Sequence, residues 1–122
     1  MLMMKKKAQV PAYRVYVIGL KPEVLVSKKF REANPDYVAG KPCYYVGSTS
    51  HPPEVRAAKH RDAAAKKNGQ KIYNSFAHSY YDGLRPSQYE KITAFSDRKS
   101  AEAAEEALAL HLRKKGFAVW QK

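Results

Sequence analysis

Arg56 and His60 stand four residues apart, so on a helix they share one face, with Lys59 beside them. Two strand-like segments precede them, Arg14-Val15-Tyr16-Val17-Ile18 and Cys43-Tyr44-Tyr45-Val46-Gly47, and each can hold a phenol against that face. A guanidinium binds phosphate oxygens through its planar fork, while phenol and imidazole can move protons. The ordered set therefore points to phosphodiester chemistry.

A carboxylate joins it from further along the chain. Ala101, Ala104, Leu108 and Leu112 form the apolar stripe of a C-terminal helix, and Glu105 falls inside that stripe. Burial there needs a cation, a metal or a hydrogen-bond donor nearby; otherwise Glu105 sits at the stripe edge and reaches water. Glu102 and Glu106 satisfy the same argument less well.

The elements that must position these groups are short. Tyr13 to Leu20 predicts a strand buried on both faces, and Cys43 to Thr49 a second. Between them, residues 22–33 predict a short helix, and Asn34-Pro35-Asp36 and Gly40-Lys41-Pro42 are turn sequences. This insertion far exceeds a hairpin loop and is either functional or a tolerated surface excursion. A helix is expected from the Pro52-Pro53 start to about Lys67, stopping at Asn68-Gly69. Its stripe of Arg56, His60 and Lys67 is not a core face, so it should look at solvent, ligand or a cleft. Residues 70–82 show helix-like spacing, Tyr89 to Phe95 predicts a third strand, and a last helix spans roughly 99–115, with Phe117 to Trp120 packing back on the domain. The fold class expected is α/β of the α+β kind, a three-stranded, mostly antiparallel sheet flanked by helices, forming one domain over residues 11–122.

The chain has 122 residues, with 23 Lys and Arg against 11 Asp and Glu, a formal charge of +12 that should attract a polyanion, nucleic acid first. Nine tyrosines suit a surface that contacts phosphates or bases, though many tyrosines simply pack. Cys43 is the single cysteine, which excludes an internal disulfide and a cysteine zinc site and makes an intracellular, cytoplasmic setting the default. Residues 1–10 are expected to be a disordered basic arm. No segment approaches the roughly twenty apolar residues of a membrane span. Lys66, Lys67 and Lys71 either track a nucleic-acid backbone or form a solvated face. His51 and His78 lack a partner at ligand spacing and read as surface or packing residues.

With Tyr16, Tyr45-Val46-Gly47, Arg56, His60 and Glu105 in order, the chain resembles the GIY-YIG nuclease family from about Tyr13 to Trp120. Val15-Tyr16 is similar to the end of the first family motif and Tyr45-Val46-Gly47 to the second. Arg14 replaces the first glycine, and the long insertion resembles that of small stand-alone bacterial members. The resemblance implies metal-dependent hydrolysis of DNA phosphodiesters. Tyr16 would be the general base, with His60 as helper or alternative base, and Arg56 would clamp nonbridging oxygens. Tyr45 would bind the phosphate or orient water, and Glu105 would hold Mg2+ or Mn2+. For Tyr16 to act as base, its pKa must fall from about 10 toward neutrality, with Arg14, Arg56 and Lys59 as candidate cations. Asn74 either positions a water or phosphate at this site or caps a helix.

Two readings stay open. One is an endonuclease acting on structured or branched DNA in repair, recombination or mobile-element processing, with DNA as partner, nucleoid association included, and no membrane. The other is a noncatalytic nucleic-acid-binding module of the same fold, which has no need of Glu105 or Tyr16.

Overall fold

A computed structural model describes residues 12–121, so the basic arm lies outside the described residues. Four strands, β1 (Arg14–Leu20), β2 (Cys43–Thr49), β3 (Tyr81–Leu84) and β4 (Ala118–Gln121), form one sheet in the order β3-β1-β2-β4. β1 and β2 pair antiparallel over their full length, with Tyr16 opposite Gly47 and Ile18 opposite Tyr45. β4 runs parallel to β2 from Cys43↔Ala118 to Val46↔Gln121. Four α-helices flank this sheet, α1 (Lys28–Glu32), α2 (Pro53–Arg61), α3 (Ser75–Ser79) and α4 (Arg98–Lys114).

The β1 and β2 segments alternate between two cores, which is why they carry no polar face. Tyr16, Ile18, Leu20, Cys43 and Tyr45 pack with Phe30 of α1, Ala57 of α2 and Ala77 of α3. Val15, Val17, Tyr44 and Val46 pack with Ala109 and Leu112 of α4 on the opposite side. Every residue of β1 after Arg14 is buried, as a strand covered on both faces requires.

Four expectations need correction. The third and fourth strands are Tyr81–Leu84 and Ala118–Gln121. The Tyr89 to Phe95 segment instead turns, touching the sheet through an isolated antiparallel bridge between Phe95 and Tyr13. α2 stops at Arg61, because Asp62 leaves helical geometry and Ala63 takes φ 53°, a left-handed conformation that ends the ladder without a glycine. Helix in the 70–82 stretch is confined to Ser75–Ser79, started by Asn74, whose side-chain oxygen accepts from the Phe76 and Ala77 N–H groups.

The insertion between β1 and β2 is sewn to the C-terminal end of the chain. After a 3-10 turn at Pro22–Val26 and α1, Asn34 is buried. Its side-chain oxygen accepts from Val119 N–H at 2.7 Å and Arg113 Nε at 3.2 Å, and its amide donates to the Phe30 carbonyl at 2.9 Å. Val38 N–H donates to Gly116 and Lys41 Nζ to Lys115. Among the described residues no helix is long and apolar enough to cross a membrane.

Candidate active site

β1, β2, α2, α4 and the loop between α2 and α3 meet around a pocket of about 600 Å3. Tyr16, Tyr45, Arg56 and Glu105 line it, together with Lys59, Lys66, Lys71 and Asn74. Its charged wall holds five basic groups, Arg56, Lys59, Lys66, Lys71 and Arg98, against the carboxylates Glu102 and Glu105. Such an excess favours an anionic ligand.

Tyr16 sits at the centre of the site and is 1% exposed. Its phenol lies across Gly47, where a Cβ would stand 2.6 Å from the phenolic oxygen. The glycine ending the second motif therefore seats the tyrosine of the first. Tyr16 Oη is 2.9 Å from Nε2 of His60, whose ring is wholly buried. The Tyr16 and Tyr45 rings lie 6.2 Å apart, and the Tyr45 and His60 rings 5.1 Å. Burial pushes the Tyr16 phenol well above 10.0, the Tyr45 phenol adds to that rise, and Arg56 opposes it. Tyr45 is pushed up to about 12 by burial and then by the Glu105 charge. Burial, helped by the Arg56 charge, lowers His60 to about 3. The protein groups thus do not bring the Tyr16 phenol toward neutrality: Arg56 alone of the three expected cations pulls it down, and burial wins.

Arg56 donates through Nη1 to the Ile72 carbonyl, which ties the loop after α2 to the pocket wall. That loop closes on itself through Ile72 N–H to Ala64, Lys66 N–H to Gln70 and an Ala65↔Lys71 bridge. Lys71 Nζ lies 4.9 Å from the centre of the Tyr73 ring and donates to Ser75 Oγ at 3.3 Å. Lys66 and Lys71 therefore face the pocket from one ordered segment, whereas Lys67 does not line it. Arg14 lies on a neighbouring groove that shares Ser50 and His51 with the pocket.

Glu105 is 1% exposed, and its Oε2 accepts from Gln121 Nε2 at 2.7 Å. The apolar stripe is real, and the carboxylate is inside it. Glu106 is exposed, while Glu102 is half-buried on the pocket wall. Among the described residues no group of three His, Cys, Asp or Glu side chains could hold a metal. The donor set still suits Mg2+ or Mn2+, because Mg2+ keeps several waters and takes one or two carboxylates plus substrate oxygens. Glu105, a buried carboxylate without an ion pair among the described residues, is compatible with that donor requirement.

His60 departs from the stripe expected to face solvent, a ligand or a cleft: it is wholly buried and points inward, toward the two phenols. Asn74 is both the cap of α3 and a wall of the pocket, and its main-chain N–H donates to His60 Nδ1 at 2.9 Å. His78 is tied to α2 through its Nδ1 and the Arg61 carbonyl, 3.1 Å apart. Arg98 was not foreseen from the sequence; its place in the first turn of the helix carrying Glu105 is the signal that locates it.

Two phenols, an arginine and a buried carboxylate on one basic pocket, carried by a small mixed sheet, define a domain that handles phosphate-bearing chains. The profile of the GIY-YIG catalytic domain matches residues 38–118 of the 122, and the chain belongs to that family, whose members are DNA-cleaving nucleases. The matched stretch holds Tyr45, Arg56, His60 and Glu105, and β1 adds Tyr16 through its pairing with β2. No curated protein and no solved structure matches the chain.

Proposed function

We propose that the protein is a metal-dependent endonuclease that hydrolyses phosphodiester bonds in structured or branched DNA, during repair, recombination or mobile-element processing inside the cell. The observation that carries this reading is the convergence of Tyr16, Tyr45, Arg56 and Glu105 on one pocket with five basic side chains. Arg56 binds the nonbridging oxygens of the scissile phosphate and stabilises charge that builds there. Tyr45 donates its phenolic hydrogen to the phosphate, which its raised pKa keeps available at neutral pH. Tyr16 first gives its own proton to solvent in the pocket it lines and then, as the phenolate, takes the proton of the attacking water. Glu105 would hold the divalent ion, which would supply positive charge for the negative charge that builds up during the reaction. Lys59, Lys66 and Lys71 bind flanking phosphates.

A noncatalytic DNA-binding module is the second reading, and the burial that keeps Tyr16 protonated is the observation that favours it. Incubating the purified protein with branched, nicked and single-stranded DNA plus Mg2+ or Mn2+ decides between them. Cleavage should fall by about a hundredfold or more in Glu105→Ala and Arg56→Ala. Equal traces of product from wild type and variants would sink the catalytic reading.

A further inference from the structure

Both ring nitrogens of the buried His60 are engaged. Nδ1 is the acceptor for the Asn74 main-chain N–H at 2.9 Å. An amide nitrogen has only a hydrogen to offer, so Nδ1 must present its lone pair, and the neutral ring then carries its hydrogen on Nε2. Nε2 faces Tyr16 Oη at 2.9 Å. The hydrogen bond between the two side chains consequently runs from imidazole to phenol.

We propose that the main chain of Asn74 locks His60 as the Nε2–H tautomer, so that His60 is a fixed hydrogen-bond donor to the Tyr16 oxygen and Asn74 is a positioning residue acting through it. This deepens the nuclease reading and rests on it for its functional consequence. Nε2 already holds a hydrogen, so the Tyr16 proton cannot pass to it. With His60 donating to Tyr16 Oη, the phenolic hydrogen turns away from the imidazole, toward Tyr45 on the pocket wall. When the phenolate forms, a donor already aimed at its oxygen meets it, and no reorganisation is needed at that moment. The sequence left open whether His60 is a base or a helper to Tyr16; the direction of the Asn74 bond selects the helper.

The surrounding connections are those a template requires. Asn74 caps α3 with its side chain, and the N–H of a capping residue lies outside the helical ladder, free to reach another acceptor. On one side of it, the Ile72 carbonyl accepts from Arg56 Nη1. On the other, His78 Nδ1 stands 3.2 Å and 3.1 Å from the carbonyls of His60 and Arg61, which can only accept, so His78 donates. The segment from Ile72 to His78 is thus pinned to α2 on both sides of the amide that meets His60. A protonated His60 would set N–H against N–H at Asn74. Burial and the Arg56 charge oppose that state, holding the imidazole at about 3.

The test is 15N NMR of the full chain labelled at histidine, paired with cleavage assays. The His60 resonances should show the directly bonded hydrogen on Nε2; a hydrogen on Nδ1 would overturn the proposal. Asn74→Ala removes the cap and keeps the amide, so the tautomer should persist, whereas Asn74→Pro deletes the amide hydrogen and should populate the Nδ1–H form. If the folded proline variant keeps the pure Nε2–H form, Asn74 is not the determinant. His60→Gln supplies an amide donor near the Nε2 position with no basic nitrogen. It should stay within about tenfold of wild type, while His60→Ala should lose about a hundredfold or more. A folded His60→Gln protein as inactive as His60→Ala would show that a base is needed there. If wild type cleaves no DNA, the nuclease reading fails, and the NMR result alone decides the tautomer.

Discussion

Gly47 and Tyr16 face each other across the β1-β2 ladder, and the phenol of Tyr16 occupies the space where residue 47 would carry a Cβ, 2.6 Å from the phenolic oxygen. Tyr16 is 1% exposed, so its ring has little room to yield without losing its present contacts. Gly47→Ala should therefore move the phenol off His60 while leaving the sheet paired. Displacement of a reacting group by about 1 Å can lower the rate about a hundredfold, and we expect a loss of that order. Overpacking should lower the unfolding free energy by about 1–3 kcal/mol. Cleavage at the wild-type rate by the folded variant would show that this seat does not position the phenol.

What could be read from residues alone follows the range of the forces involved. The Tyr16 and Tyr45 strands carry period-two alternation between two cores, and the Glu105 helix carries a clean apolar stripe, so both were legible. β3 was not, because Asp82 and Gly83 sit inside it and Gly83 takes φ 83°; only its pairing with the β1 edge makes it a strand. β4 pairs parallel with a segment more than seventy residues earlier, and no local pattern encodes that partner. The inward turn of His60 was hidden for a similar reason. Its acceptor role toward Asn74 and its contact with Tyr16 join three separate segments.

Glu105 is buried with a neutral donor, Gln121, as its hydrogen-bond partner. An uncompensated buried carboxylate is costly, and its neutral isostere keeps the bond to Gln121. Without divalent ion, Glu105→Gln should be as stable as wild type or more stable by about 1–2 kcal/mol. Mg2+ should raise the Tm of wild type and leave that of the variant unchanged. A divalent-ion shift of equal size in both proteins would place the ion away from Glu105.

Asn34 joins the insertion to α4 and β4 through its bonds with Arg113 and Val119, and to α1 through Phe30. Asn34→Ala leaves the Val119 N–H and the Phe30 carbonyl without that partner. Denaturant unfolding should show a loss of about 2–4 kcal/mol. Cleavage per folded molecule should not change, since Asn34 does not line the pocket. An active-site defect in the folded variant would instead assign the insertion a role in catalysis.

His60 titrates at about 3 in the folded chain against 6.5 for a free imidazole. Between these values the unfolded chain binds a proton that the folded chain does not. Its contribution to stability is therefore present above 6.5 and lost as pH falls toward 3, with a slope of at most about 1.4 kcal/mol per pH unit. Urea unfolding from pH 7 to pH 4 should show a smaller acid loss in His60→Gln than in wild type. The two curves falling in parallel would mean that the buried imidazole is not the group responsible. Tyr16, raised by burial, has the opposite sign: its contribution is present below 10.0 and lost as pH rises beyond it.

Lys59, Lys66 and Lys71 stand on the pocket wall, whereas Lys67, adjacent in sequence to Lys66, does not line the pocket. Every phosphate neutralised releases counterions, so the slope of log affinity against log salt counts contacts. Single alanine substitutions at Lys59, Lys66 and Lys71 should each reduce that slope by about 1, uniformly across DNA sequences. Lys67→Ala removes the same formal charge from the same loop and should change the slope least. This difference separates a phosphate-tracking wall from a general attraction due to the net charge of +12, for which all four substitutions would act alike. Fluorescence anisotropy with labelled duplex, in calcium or EDTA to suppress cleavage, reads it directly. Equal shifts at all four positions would mean that DNA is held by the overall field and that the pocket does not set its path.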